Sequence, residues 1–197
     1  MSSRLLRFCL VVLACALPAL AALPAARAAD ISGPVMLVAK PELGEFYRGT
    51  VLFARPIANG QHVGFIINRP TPVTLSKLFP EHAPSQKVVD PVFLGGPVYA
   101  DMIFAVVQGS TSPGGRSVPL LDDMFLATDV ETVDRIIEQD AHHARFIAGL
   151  VAWQPGELQH ELKSGFWYVL EPDPDLVFRK STDGLWEELV RRSASGV

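Results

Sequence analysis

Residues 146–162 read Phe-Ile-Ala-Gly-Leu-Val-Ala-Trp-Gln-Pro-Gly-Glu-Leu-Gln-His-Glu-Leu. The first eight, Phe146 to Trp153, carry no charge and do not alternate apolar with polar positions. A strand with one wet face alternates, so this run reads as a strand covered on both faces. Pro155 stands where a helix accepts proline, in its first turn, and Gly165 marks the end of that helix. A strand buried on both sides needs structure packed above and below it, and this requirement organises the rest of the reading.

Working outward, Phe166 to Leu170 is a further strand. Leu185, Trp186, Leu189 and Val190 stripe a last helix, with Arg191 and Arg192 at the end its dipole favours for cations. Upstream, Thr128 and Glu131 fit a capping box, followed by a stripe of Val130, Val133, Ile136 and Ile137. Ile103 to Val107 is a strand leading into the Gly-, Ser- and Pro-rich loop 109–115, and Val92 to Leu94 is a strand running into Gly95-Gly96-Pro97. Leu75, Leu78 and Phe79 make a short helix stopped by Pro80. Thr50 to Ala54 and His62 to Asn68 form a hairpin around Asn59-Gly60, and Val35 to Val38 is a strand ended by Pro41. Asp122-Asp123 reads as a turn. Strands outnumber helices and mostly follow one another, which indicates a single α+β domain rather than alternating βαβ units.

The N-terminus reads as a leader. Arg4 and Arg7 precede an uncharged run from Phe8 to Ala22, Pro24 breaks it, and Ala26-Arg27-Ala28 presents small residues where a signal peptidase reads. The run is shorter than the roughly 20 residues of a membrane-crossing helix. A lipobox-like Val12-Leu13-Ala14-Cys15 is also present, but the stretch stays apolar to Ala22, where a lipoprotein turns polar. The expectation is a signal peptide over 1–28, a domain over 29–192 and a disordered tail over 193–197. The location is then periplasmic or secreted with no stable membrane anchor after cleavage, or cytoplasmic if translation starts downstream. Both cysteines, Cys9 and Cys15, fall in the leader, so the mature chain offers no disulfide, thiolate nucleophile or cysteine metal site. The leader also holds three of the 17 basic residues and none of the 21 acidic ones, leaving 14 against 21, a net charge of −7. Nucleic-acid affinity rests on basic contacts to phosphate, so no nucleic-acid partner is expected.

Three places join glycine, proline and polar residues beside strands. Asn68-Arg69-Pro70 offers an arginine fork for a carboxylate or phosphate, or else a turn residue and a surface ion pair. Gly95-Gly96-Pro97 allows close backbone approach to a ligand, or else a tight bend between strands. In the third, Trp153 ends the apolar strand, and Glu157, His160 and Glu161 share one helical turn. Those three side chains would suit general acid–base chemistry or a weak metal site; otherwise Glu157 complements the helix dipole and Glu161 is solvated. No GxGxxG, GxxxxGK[ST] or GxSxG motif occurs, and no cofactor is expected.

These stretches also carry a likeness. Pro41-Glu42-Leu43, Phe46, Thr50-Val51-Leu52 and Gly64-Phe65-Ile66-Ile67-Asn68-Arg69-Pro70 resemble the opening of YqgE/AlgH family proteins. Val92-Phe93-Leu94-Gly95-Gly96-Pro97-Val98 is similar to that family's second motif. Gly149, Trp153, Gly156, Leu158, Glu161-Leu162 and Trp167 resemble its third. The order and spacing hold from about Val35 to Arg192. The resemblance implies an α+β architecture of strands curled into a partial barrel with flanking helices, in a largely uncharacterised bacterial family without an agreed enzymatic activity. One branch is linked by name to alginate regulation. This chain departs from the family at Gly156-Glu157-Leu158-Gln159, where members read Gly-Gln-Leu-Glu. It also has Val107-Gln108 where members tend to carry a histidine, and a leader where most members look cytoplasmic.

The favoured expectation is a binding module for a small anionic ligand or a protein partner, built from Asn68, Arg69, Gly95, Gly96, Trp153, Glu157 and Glu161. In this arrangement Arg69 either supplies the anion's countercharge at the start of the helix or pairs with Glu157. The alternatives are an enzyme using Glu157, His160 and Glu161, and a regulator of transcription if the leader is an artefact of a wrong start.

Overall fold

The computed structural model describes residues 31–194. Residues 1–30, which hold the expected signal peptide with Cys9 and Cys15, and residues 195–197 lie outside the described residues. Among the described residues ten strands form one sheet: β1 (Val35–Ala39), β2 (Val51–Pro56), β3 (His62–Ile66), β4 (Pro70–Thr74), β5 (Pro91–Leu94), β6 (Val98–Gln108), β7 (Ser117–Leu121), β8 (Met124–Ala127), β9 (Ala144–Trp153) and β10 (Trp167–Leu170). The helices are α1 (Leu75–Leu78), α2 (Val130–Gln139), α3 (Glu157–Lys163), α4 (Pro174–Phe178) and α5 (Leu185–Ala194). The strand order β10-β1-β2-β3-β9-β6-β8-β7 is antiparallel throughout, with the β4–β5 pair branching off where β5 runs parallel to β9. The sheet curls into a half-barrel, the α+β architecture expected from the sequence.

Period-two alternation divides the core between the two faces of this sheet. Met36, Val38, Val51, Phe53, Phe65, Phe104 and Val106 point to one face, where Leu185 and Leu189 of α5 and Val177 of α4 cover them. Leu37, Ala39, Leu52, Ala54 and Ile66 point to the other, beneath Leu158 of α3. Further along that strand order, Ala105, Val107 and Ala127 meet Val133, Ile136 and Ile137 of α2.

Strand β9 explains its own lack of alternation. Ile147 and Leu150 belong to the α5 side, whereas Val151 and Trp153 belong to the α3 side. The phase slips at Gly149, whose φ is +73°, a left-handed value that glycine adopts without penalty. Opposite it the pairing of β6 jumps from Val98↔Leu150 to Ile103↔Ala148, so Tyr99 to Met102 bulge outward. The strand is covered on both faces, and it pairs with β3, β5 and β6 at once.

Several boundaries move from the sequence expectation. The cap of α2 is Asp129, not Thr128. Its carboxylate accepts from Thr132 N at 3.0 Å and Arg116 N at 2.8 Å, while the Thr128 hydroxyl donates to the Arg116 carbonyl at 2.5 Å. Val130 therefore falls outside the buried stripe and is 76% exposed. Pro155 lies in the turn before α3, whose N-cap is Gly156 with φ +86°. Ser193 and Ala194, expected in the tail, complete the last turn of α5. β4 contains two prolines and was not expected as a strand. Among the described strands it pairs with β5 alone, and an edge strand tolerates the missing N–H donors.

Candidate functional site

The sequence-selected residues are each held by specific contacts. The Asn68 side chain acts as a missing strand residue: Oδ1 accepts from Val51 N and Nδ2 donates to Gly49 O, both at 2.8 Å. Arg69 donates to the carbonyls of Phe46 and Arg48, and its guanidinium lies 5.2 Å from the Phe46 ring centre. It forks onto backbone carbonyls of the 46–48 loop rather than onto a carboxylate, and burial pushes its pKa down. The expected Arg69–Glu157 pair is replaced by these bonds, because the Glu157 carboxylate turns back to accept from Gln154 N at 2.7 Å.

Gly95 and Gly96 serve close packing of backbone on backbone. A Cβ on Gly95 would stand 2.3 Å from Gly149 O, and one on Gly96 would stand 2.2 Å from Leu150 O. Gly95 N also donates to Ala148 O, and Ile66 N to Gly95 O. These glycines let β5 and β9 approach one another.

Trp153 is 3% exposed, and its indole N–H donates to Glu161 at 3.1 Å; Trp167 donates to the same carboxylate oxygen at 2.8 Å. Glu161, which the sequence allowed to be merely solvated, thus joins β9 to β10 through two indoles. Tyr47 packs edge-on against Trp167. Its pKa is raised by burial and by the Glu161 charge, against the pull of Arg69. Tyr47, Trp153, Glu157, His160 and Glu161 line a shallow depression. With Glu157 bonded to a backbone N–H and Glu161 to two indoles, His160 stands exposed without either carboxylate as its partner.

A more enclosed cavity lies apart from these three places. Arg145, the second residue of β9, is 7% exposed. Its Nη1 donates to Ile67 O at 2.9 Å and its Nη2 to Arg179 O at 2.5 Å. The guanidinium stacks 4.0 Å from the Phe93 ring centre. Burial lowers its pKa to about 10, with the Asp90 charge opposing. Among the described residues no carboxylate comes within ion-pair distance of it, since Asp90 pairs with Lys180 at 2.5 Å. Arg145, Asp90, Phe93, His142, His143 and Lys180 border a cavity of about 90 Å³. The signal was present in the sequence: an arginine inside a strand of otherwise uncharged residues must be buried with partners or break the strand.

The comparisons agree with the fold. The description "AlgH-like" (DUF179) matches residues 36–195. A UPF0301 protein of Streptomyces avermitilis is 35% identical over 166 residues, covering 80% of this chain and 84% of that one. A UPF0301 protein of Anaeromyxobacter dehalogenans is 30% identical, covering 81% and 86%. The solution structure of AlgH from Pseudomonas aeruginosa superposes with a TM-score of 0.64 at 22% identity, covering 82% of this chain and 88% of that one. A crystal structure of a Corynebacterium diphtheriae protein gives 0.63 at 22% identity, covering 83% and 87%. With a match that spans all but the first few residues of the folded domain, the chain belongs to the AlgH-like family.

Proposed function

We propose that this AlgH-like protein is an exported binding module without catalysis, which takes a small anion of the phosphate or carboxylate class in the cavity beside Arg145. The observation that carries the reading is the buried guanidinium without a carboxylate partner. Removing a cation from water costs several kcal/mol unless charge and hydrogen bonds replace the lost hydration. Two carbonyls supply hydrogen bonds to Arg145 but no net charge. An anion in the cavity supplies the charge, and the planar guanidinium suits a two-oxygen contact. A water needs roughly 10–15 Å³ of such space, so about 90 Å³ accommodates inorganic phosphate or a short carboxylate. Lys180 at the rim adds a second cation, moderated by its pairing with Asp90.

Titration calorimetry of the mature protein with inorganic phosphate and with acetate tests this. Binding is expected in the wild type, weakened at least about tenfold, or about 1.4 kcal/mol, in Arg145→Met. Arg145→Lys should retain part of it, because the ammonium keeps the charge but not the fork. If Arg145→Met does not fold, Lys180→Met on the rim gives the same sign with a smaller loss. Absence of binding by the folded wild type rejects the reading. Loss in Arg69→Ala with retention in Arg145→Met moves the anion to the Arg69 corner.

Export is tested separately, and its support is the order of charge, apolar run and small residues at the N-terminus. Protein from the periplasmic fraction should begin at Ala29 or Asp30 on N-terminal sequencing. An intact Met1 in the cytoplasm rejects that half of the proposal.

A further inference from the structure

A second group of side chains, sharing no residue with the Arg145 cavity, meets between α2 and the segment that follows α1. Asp134 and Glu138 stand four residues apart on α2 and so share one face of that helix. His82 reaches them from the 79–87 segment, with Nε2 at 3.3 Å from Asp134 Oδ1. One ligand atom from each of the three lies within 4.8 Å of the others. Two ligands bound at 2.0–2.2 Å to a tetrahedral ion are roughly 3.4 Å apart, so the His82–Asp134 pair already has that spacing.

We propose that His82, Asp134 and Glu138 form a binding site for a divalent transition ion of the Zn²⁺ class. The imidazole points to such an ion rather than to Ca²⁺ or Mg²⁺, whose sites are built from oxygen alone. The orientation of the histidine is set by its other nitrogen. Nδ1 lies 2.7 Å from the Ser85 hydroxyl, and Ser85 is fully buried. A hydroxyl both donates and accepts. Without an ion it donates to Nδ1 while Nε2–H faces Asp134. With an ion on Nε2 it accepts from Nδ1–H, the outer contact that metal-bound histidines characteristically make. The Ser85 N–H also donates to the His82 carbonyl at 3.0 Å, so the serine fixes both the ring and its backbone.

Three protein ligands leave a fourth position open. His82 and Asp134 also border a groove of about 510 Å³ lined by Phe79, Met102, Val130 and Ile137. The site therefore stands at the edge of a mainly apolar space. The ion would tie the 79–87 segment to α2, two elements about fifty residues apart in the chain. A neighbouring trio, Asp140, His142 and His143, also has ligand spacing. Its members come from a single turn, both histidines are exposed, and His143 Nδ1 already bonds to Asp140 at 2.7 Å. It serves as the control.

The test is titration of metal-stripped mature protein with ZnCl₂ by calorimetry and with CoCl₂ by visible absorption. One ion per chain is expected, with the intense Co²⁺ bands of a four-coordinate site. Glu138→Gln changes an exposed side chain and should leave the fold intact while weakening Zn²⁺ binding at least about tenfold. His82→Ala should abolish binding, Asp140→Asn should not alter it, and amide exchange across 79–87 should slow when the ion is bound. Failure of the folded wild type to take up Zn²⁺ overturns the site. So does uptake that survives Glu138→Gln and His82→Ala but is lost in Asp140→Asn.

Discussion

Trp153→Ala is expected to lower folding stability by roughly 3–5 kcal/mol, the range for emptying a buried large aromatic site. The indole is 3% exposed and sits in the cluster with Val151, Leu158 and Trp167. It also packs against the backbone of β3: a Cβ on Gly64 would be 2.9 Å from the ring. Gly64 has no side chain with which to fill the space left by truncation. The change further removes one of the two indole donors that hold Glu161. Trp153→Phe brackets the two effects, since it keeps one aromatic ring in the site while removing the N–H together with the rest of the bicycle. For a domain of this size each kcal/mol moves Tm by about 2–4 °C, so thermal melts of the three proteins measure both terms. A loss in Trp153→Ala below about 0.5 kcal/mol, the surface range, would contradict the packing described.

Gly149→Ala should be nearly as damaging for a different reason. Its φ of +73° costs any residue with a Cβ roughly 1–2 kcal/mol. That Cβ would also stand 2.2 Å from Gly96 O and 3.1 Å from Val98 O, both backbone atoms of adjoining segments. Backbone cannot rotate out of the way as a side chain does, so overpacking adds about 1–3 kcal/mol. The expected total is roughly 2–5 kcal/mol by chemical denaturation. Gly156→Ala isolates the conformational part, because its φ is +86° but nothing lies within 4 Å of the added carbon. It should lose only about 1–2 kcal/mol. Equal losses at the two sites would mean that the backbone of residues 96–98 can move away from β9 without cost.

What the sequence made legible follows from how local each signal is. Asn59 and Gly60 both have left-handed φ in the connection between β2 and β3, as their adjacency suggested. The missing alternation in β9 correctly signalled burial on both faces, although its cause, a phase slip at one glycine, needed the register of β6. Signals that depend on distant partners were misread or missed. Thr128 and Asp129 are both good caps, and only the Thr128 bond to Arg116 O decides between them. Glu161 looks like any surface acid until β10 brings Trp167 to it. Between Ser117 and Ala127 the only local signal is the turn at Asp122-Asp123, yet the flanking residues are β7 and β8, recognisable as strands once β6 supplies an edge. The Arg145 cavity depends on Ile67 and Arg179, 78 and 34 residues away along the chain.

The three-way pairing of β9 has a kinetic consequence. Its partners occupy residues 62–64, 93–94 and 98–107, and none of those segments can complete its ladder before residues 144–153 arrive. Closing such loops takes entropy before any contact repays it, which places the folding time toward the millisecond-to-second end for small domains. Until then the facing edges of β3 and β6 stay unpaired, the condition under which strands of separate molecules join. A chain stopped short of Trp153 lacks the strand that closes the sheet, so its collapsed forms should be sticky and poorly ordered. Native stability and freedom from aggregation during synthesis are therefore decided by the same ten residues.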